Sequence, residues 1–236
     1  MLTRLKRAVR HRLLAASGRY GHLRVDVAVN AKWCGNDYGG FYANLDGLSR
    51  SSVAYSFGVG EDTSFDEDLI ASCGCTVHAF DPTPKSIAWV KSRGDLPPGF
   101  HFHPYGISDV SGPATFRLPR NPDHVSGSLV EQDNVTDSRT VTVELKSISD
   151  IADELGHKTV DLVKMDIEGA EYLVLDSVLA SGLSIRQILV EFHDRLIEDG
   201  KAKSEQAVER LRANGFGIFG VSPGFQEVSF IKGAPG

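Results

Sequence analysis

Val53-Ala54-Tyr55-Ser56-Phe57-Gly58-Val59-Gly60-Glu61-Asp62, followed by Thr76-Val77-His78-Ala79-Phe80-Asp81-Pro82, is the stretch that decides the fold. An apolar run ends in a glycine turn, a helical segment follows, and a second apolar run ends in an acid. That order predicts the opening βαβ unit of a nucleotide-binding sheet. Gly58 and Gly60 let backbone approach a ligand closely, and Asp81 offers acceptors to both hydroxyls of a ribose. Glu61-Asp62-Thr63 stands where a dinucleotide fold often carries a further glycine. Acids there disfavour a pyrophosphate and suit a cationic ligand.

Outward from this unit the alternation of short apolar runs with helical segments continues. Strands are expected over 53–57, 76–80 and 100–105, with helices over 64–72 and 85–93, the second opened by Pro82-Thr83-Pro84. Strands over 114–118 and 140–145 flank a polar excursion, 119–139, with little to bury. Val160 to Met165 is a nearly continuous apolar run ending in Asp166-Ile167-Glu168-Gly169-Ala170-Glu171, as a buried parallel strand would read. A helix over 172–181, a strand over 187–192 ending at His193, and a helix over 204–214 with Gly215 as its C-cap come next. Phe216 to Val221 and Glu227 to Ile231 close the chain as an antiparallel hairpin. The sum is an α/β fold: a mostly parallel, Rossmann-like sheet with one antiparallel strand near the C-terminus and helices on both faces.

Ligands of such sheets sit outside the carboxyl ends of the strands, near the point where strand order reverses. The strand ends here are Gly58 to Asp62, Asp81, Gly106 to Asp109, Asp166 to Glu171, and Glu191 to His193, and acids recur among them. Carboxylates crowd the phosphates of a dinucleotide but hold a sulfonium without charge conflict. S-adenosylmethionine is therefore the expected cofactor.

Val163-Lys164-Met165-Asp166-Ile167-Glu168-Gly169-Ala170-Glu171, with Phe80-Asp81-Pro82-Thr83-Pro84 upstream and Leu189-Val190-Glu191-Phe192-His193 downstream, resembles the signature of the FkbM-type methyltransferase family. The similarity covers about 53–193. It implies a class I methyltransferase fold and S-adenosylmethionine-dependent transfer, commonly to a hydroxyl oxygen of a sugar, glycan or natural product. By this resemblance Phe57, Gly58, Gly60 and Glu61 line the methionine and ribose part of the cofactor, Asp81 meets the ribose hydroxyls, and Ser108 and Asp109 sit near adenine. Asp166 stands at the same site. The chain departs from the family at Ser56, near a position that commonly holds aspartate, and at Asp81, where glutamate is frequent.

Methyl transfer is an in-line displacement at an activated carbon, so the protein aligns the nucleophile and excludes water. An alcohol must also lose its proton, which requires a base or a cation that acidifies the hydroxyl. His193 or Asp166 is the expected base, with Glu168 orienting substrate or contributing to a metal site. Asp166, Glu191 and His193 are of types that hold a divalent metal, but their spacing alone does not establish a site and none is assigned. Glu171 is expected at the N-terminus of its helix.

With 236 residues the chain suits one catalytic domain, 49–236, preceded by an extension, 1–48. Residues 1–20 combine Arg4, Lys6, Arg7, Arg10, Arg12 and Arg19 with leucines at near-helical spacing, a pattern for packing on a neighbouring surface or for peripheral contact with an anionic membrane. Trp33 to Tyr42 reads as a loop-rich lid over a polar substrate, or as an aromatic cluster fastening the extension to the core. Net charge of −6 argues against nucleic acid as a partner. Sparse cysteines, Cys34, Cys73 and Cys75, and no apolar leader make cytoplasm the expected compartment. Two rivals remain: a nicotinamide-dependent oxidoreductase using the same glycine turn, and a noncatalytic membrane-associated binding module.

Overall fold

The structure, a computed structural model, describes residues 18–119 and 135–233. Its centre is a seven-stranded sheet in the order β11-β12-β10-β9-β3-β4-β5. The strands are β3 (Val53–Phe57), β4 (Thr76–Phe80), β5 (Phe100–His103), β9 (Thr159–Met165), β10 (Ser184–Glu191), β11 (Phe216–Val221) and β12 (Glu227–Lys232). Only β12 is reversed: it pairs antiparallel with both β10 and β11, while the other pairings are parallel. The single antiparallel strand expected near the C-terminus is this one.

Among the described residues, five helices cover the sheet: α1 (Ser64–Cys73), α2 (Pro84–Ser92), α3 (Ile148–Leu155), α4 (Glu171–Ala180) and α5 (Gly200–Ala213). Successive strand residues point to opposite faces, so Tyr55 and Phe57 pack on one side with Ile151 of α3, Val174 of α4 and Val208 of α5. Ala54, Val77 and Ala79 face the other side with Phe65 of α1 and Val90 of α2. Burying strands on both faces explains why they read as continuous apolar runs. α3 escaped the sequence reading. Its signal is present all the same, because the Ser147 hydroxyl accepts from the Asp150 backbone N–H (3.1 Å) and Gly156 closes the helix in a left-handed conformation (φ 73°).

The extension is more ordered than a loop-rich lid. β1 (Ala31–Cys34) and β2 (Phe41–Asn44) form an antiparallel hairpin whose Cys34, Phe41 and Ala43 are fully buried. Asn44 and Gln187 of β10 bind each other reciprocally, Asn44 N–H to Oε1 at 2.9 Å and Gln187 Nε2 to the Asn44 carbonyl at 2.8 Å. The Trp33–Tyr42 edge-on ring pair lies on this hairpin. The basic segment expected over 1–20 lies outside the described residues apart from 18–20. β6 (Gly106–Ile107), β7 (Gly112–Pro119) and β8 (Val135–Lys146) form a small second sheet in the order β6-β8-β7, beside the edge strand β5. Much of the expected polar excursion lies outside the described residues. Among those described, no helix is long and apolar enough to cross a membrane. The three cysteines are free thiols.

A histidine group lies on β4 and β5. His78 stacks on His101 and His103, and its Nδ1 is 3.0 Å from His103 Nε2; nearby, Tyr55 Oη is 2.7 Å from His157 Nδ1. Burial, then the neighbouring histidines His103, His157 and His101, depress the His78 pKa from 6.5 to about 4. Burial also lowers His103 and His157. A neutral folded histidine gives full stability above pH 6.5. Between pH 6.5 and 4 the unfolded chain takes up a proton that the folded chain refuses, so stability falls. Replacing His78 by Phe keeps the ring and removes the titration. It is expected to recover about 1–2 kcal/mol of this acid loss, allowing for screening at a half-buried site, measured as a flatter dependence of unfolding midpoint on pH.

Candidate functional site

β3 is followed by β4 on one side of the sheet, whereas β9 lies on its other side, so strand order reverses between β3 and β9. The carboxyl ends of these strands open into a cavity of about 430 Å³. The glycine turn forms its floor. The Gly58 N–H donates to the Phe80 carbonyl (2.9 Å) and the Asp166 N–H to the Phe57 carbonyl (3.0 Å), drawing the ends of β3, β4 and β9 together. Gly58 has φ 86°, and a Cβ there would run into the Asp166 carbonyl oxygen. Only glycine meets both demands. Phe57 stacks on Phe80 with centroids 4.6 Å apart, and both rings line the cavity.

Asp81 lies on the cavity wall but is 5% exposed and heavily engaged. One oxygen accepts from Val59 N–H (3.1 Å) and Gly60 N–H (2.9 Å), and the other from the Thr83 N–H (2.8 Å) and hydroxyl (2.7 Å). A carboxylate has about four acceptor positions, so these bonds fill it. Here its first effect is to brace the turn. Glu61 also faces the cavity and pairs with Lys85 at 3.1 Å.

The second turn carries the acids. Glu168 has φ 54°, a strained conformation for a non-glycine residue, and Gly169 follows at φ 94°. Glu171, 1% exposed, holds this turn by accepting from the Ile167 and Gly169 N–H groups, each at 3.1 Å. The same oxygen lies 2.8 Å from His193 Nδ1. Glu171, the first residue of its helix, thus braces the turn that precedes the helix, and it also fixes the imidazole beyond the end of β10.

His193 is 4% exposed and stands behind the cavity wall, outside the residues that line it. Its Nε2 faces Glu168 (3.5 Å), Glu191 (3.7 Å) and Asp166 (3.8 Å). Burial alone lowers its pKa, but Glu171, Asp166 and Glu168 together outweigh that and raise it well above the ordinary value. Glu191 is raised by burial and by the neighbouring Asp166. Asp166 and Glu168 line the cavity. The sequence-predicted trio Asp166, Glu168 and His193 is thus brought together, with only the two acids at the surface of the cavity.

Ser108 and Asp109 lie one and two positions beyond the lining residues Gly106 and Ile107, with the Ser108 hydroxyl bonded to Asp109 (3.0 Å). That wall is completed by Phe116 and Leu145, an apolar surface suited to a flat ring.

Two charged lining residues, Asp66 and Lys164, were missed in the sequence, whereas Asn36, Tyr38 and Gly39 fall within the segment 33–42 read as lying over the substrate. Asp66 of α1 is 2% exposed. Burial pushes its pKa up to about 6, opposed by the charge of Lys164 and by Ser56. It supplies from the helix an acid beside Ser56. Lys164, also buried, donates to the Gly58 carbonyl (3.2 Å) and approaches Asp166 at 3.9 Å. Asn36, Tyr38 and Gly39 of the β1–β2 connection complete the wall. The connection is tied down where Asn36 Nδ2 donates to Asp62 (2.7 Å) and Asn36 N–H to the Ser64 hydroxyl (3.0 Å). Tyr38 remains 85% exposed at the mouth.

A family model, the methyltransferase FkbM domain, matches residues 49–218. Over 141 residues the chain is 27% identical to the human protein named probable methyltransferase-like protein 24, covering 59% of this chain and 32% of that protein. The rat protein of the same name is 26% identical over the same length. The chain spans about a third of the length of these curated relatives. Among solved structures it is similar to the fibrillarin pre-rRNA processing protein of Methanococcus jannaschii (13% identity, TM-score 0.46, covering 79% of this chain and 69% of that one). It is also similar to Aeropyrum pernix fibrillarin in complex with natively bound S-adenosyl-L-methionine (11% identity, TM-score 0.42, covering 78% and 66%).

Proposed function

The chain belongs to the FkbM family of S-adenosylmethionine-dependent methyltransferases, and on that premise we propose that it methylates a hydroxyl oxygen of a sugar, glycan or small natural product. One observation carries the reading: among the described residues, Glu61, Asp62, Asp66, Asp81, Asp166 and Glu168 line the cavity against a single lysine, Lys164. Such a wall favours a sulfonium donor and opposes the phosphates of a nicotinamide dinucleotide. Nucleic acid, a polyanion, fits it poorly for the same reason.

In this reading the glycine turn carries the methionine and ribose of the donor. Asp81 reaches the ribose by exchanging its Thr83 hydroxyl bond for a ribose hydroxyl, with Glu61 alongside. Phe80, Ile107, Phe116 and Leu145 flank the adenine. Substrate enters past Tyr38, whose exposed phenol suits the hydroxyl-rich face of a sugar, on the connection that Asn36 holds in place. Its oxygen is aligned with the methyl carbon at the second turn, and its proton passes to the Asp166–Glu168 carboxylate pair. The oxygen forms the new C–O bond as the C–S bond breaks, leaving its electron pair on sulfur. His193, held by Glu171, sets the charge and position of that pair.

Transfer of labelled methyl from the donor to candidate glycans and small hydroxylated metabolites tests the reaction, after calorimetry establishes S-adenosylhomocysteine binding. Saturable nicotinamide binding with no S-adenosylhomocysteine binding would overturn the reading. His193→Ala is expected to lower turnover by roughly 10²-fold, at the lower end for loss of a proton-transfer constellation, while S-adenosylhomocysteine affinity stays within about threefold because the imidazole lies outside the cavity lining. Unchanged turnover would remove His193 from the mechanism.

A further inference from the structure

Asp166, Glu191 and His193 come from the ends of two adjacent parallel strands, β9 and β10. One ligand atom from each lies within 4.8 Å of the others. A cluster of acids alone is common on protein surfaces, but this one contains a buried imidazole aimed into it. His193 Nε2 faces three carboxylates, and the nearest, at 3.5 Å, lies beyond ordinary N–H···O bonding distance. Its other nitrogen is held at 2.8 Å by the buried Glu171. A metal-bound histidine characteristically has its second nitrogen held by a carboxylate in this way, which fixes the ring and its tautomer. Glu227, paired across the sheet with Glu191, adds a half-buried carboxyl at this end. Among the described residues, the carboxyl groups at this end of β9 and β10 thus outnumber the cations beside them, the His193 imidazole and the Lys164 ammonium 3.9 Å from Asp166.

We propose that Asp166, Glu191 and His193 bind a divalent first-row metal ion, with Glu171 orienting the histidine. Mixed carboxylate and imidazole ligands suit manganese, iron or zinc better than calcium. Three protein ligands leave positions open to solvent or to a substrate oxygen. Asp166 belongs to both this group and the cavity lining, so an ion here borders the space where the accepting hydroxyl would lie. That placement beside the reaction rests on the methyl-transfer reading, whereas binding of the ion does not. With Asp166 committed to the ion, Glu168 is the acceptor for the hydroxyl proton, and the ion stabilises the oxygen as it attacks the methyl carbon.

The full chain, freed of metal by chelation, is titrated with Mn²⁺ while electron paramagnetic resonance follows the free ion, and S-adenosylhomocysteine binding is measured on the same samples by calorimetry. The expected result is one saturable Mn²⁺ site per chain. Its affinity should fall at least tenfold in Glu191→Gln and in His193→Ala, and 10- to 100-fold in Glu171→Gln, the loss typical of an outer partner. Glu191→Gln preserves shape, so retained S-adenosylhomocysteine binding in that variant shows an intact fold. Absence of saturable Mn²⁺ uptake by a chain that binds S-adenosylhomocysteine overturns the proposal, as does uptake unchanged in Glu191→Gln and His193→Ala. Mn²⁺ uptake that follows these variants in a chain that binds no S-adenosylhomocysteine supports the site and overturns the methyl-transfer reading.

Discussion

Gly58→Ala is expected to cost about 3–4 kcal/mol of stability and to reduce S-adenosylhomocysteine affinity by roughly 10²- to 10³-fold. Two independent penalties combine. An L-residue held at φ 86° is strained by about 1–2 kcal/mol. The added methyl also meets the carbonyl oxygen of Asp166, and forcing extra atoms into close packing typically costs about 1–3 kcal/mol. Relief requires β3 and β9 to part at the switch point, which displaces both turns at once. Denaturant unfolding and calorimetry read the two effects separately. Near wild-type values for both would mean that the close approach of Gly58 to Asp166 is dispensable, and with it the architecture of the cavity floor.

Asp81→Ala is expected to raise the dissociation constant for S-adenosylhomocysteine by at least about 10²-fold and to destabilise the chain by about 3 kcal/mol. The substitution deprives the N–H groups of Val59, Gly60 and Thr83 of a charged acceptor in a place that water reaches poorly. Each lost bond to a charged group is worth about 1.5–3 kcal/mol, and relaxation of the turn recovers part of the sum. Asp81→Asn discriminates bracing from ribose contact. An amide keeps an acceptor for Thr83 but turns its own N–H₂ toward the N–H groups of Val59 and Gly60. If bracing dominates, the Asn variant loses stability nearly as far as Ala does. Wild-type stability with weakened binding in Asp81→Asn would instead assign Asp81 chiefly to the ligand.

How much of this was legible follows from how local each signal is. β3, β4, β9 and β10 read directly as apolar runs because both sheet faces are buried. β12 read as one arm of a hairpin because Ser222-Pro223-Gly224 joins two short apolar segments. β1 and β2 did not read as strands. Each has four residues, too few for a clear alternation, and the glycines and asparagine between them resemble an open loop. The hairpin is held by what it packs against, Phe65 on one side and Gln187 on another, and neither adjoins it in sequence.

The amino-acid sequence by itself determined the order of the central-sheet strands and of α1, α2, α4 and α5, the two glycine-bearing turns and the presence of acids at the strand ends, because hydrophobic periodicity and turn chemistry act over a few residues. Only the tertiary structure decided what those acids do. It turned Asp81 inward to brace the first turn and brought Asp66 from α1 to the same cavity. It joined Glu171 to His193 and placed the imidazole behind Asp166 and Glu168. These partners lie on different elements, and parallel strands meet side by side only through long crossovers. Their distances are therefore set by the packed sheet, where close contact and scarce water turn a scattering of carboxylates into one electrostatic site.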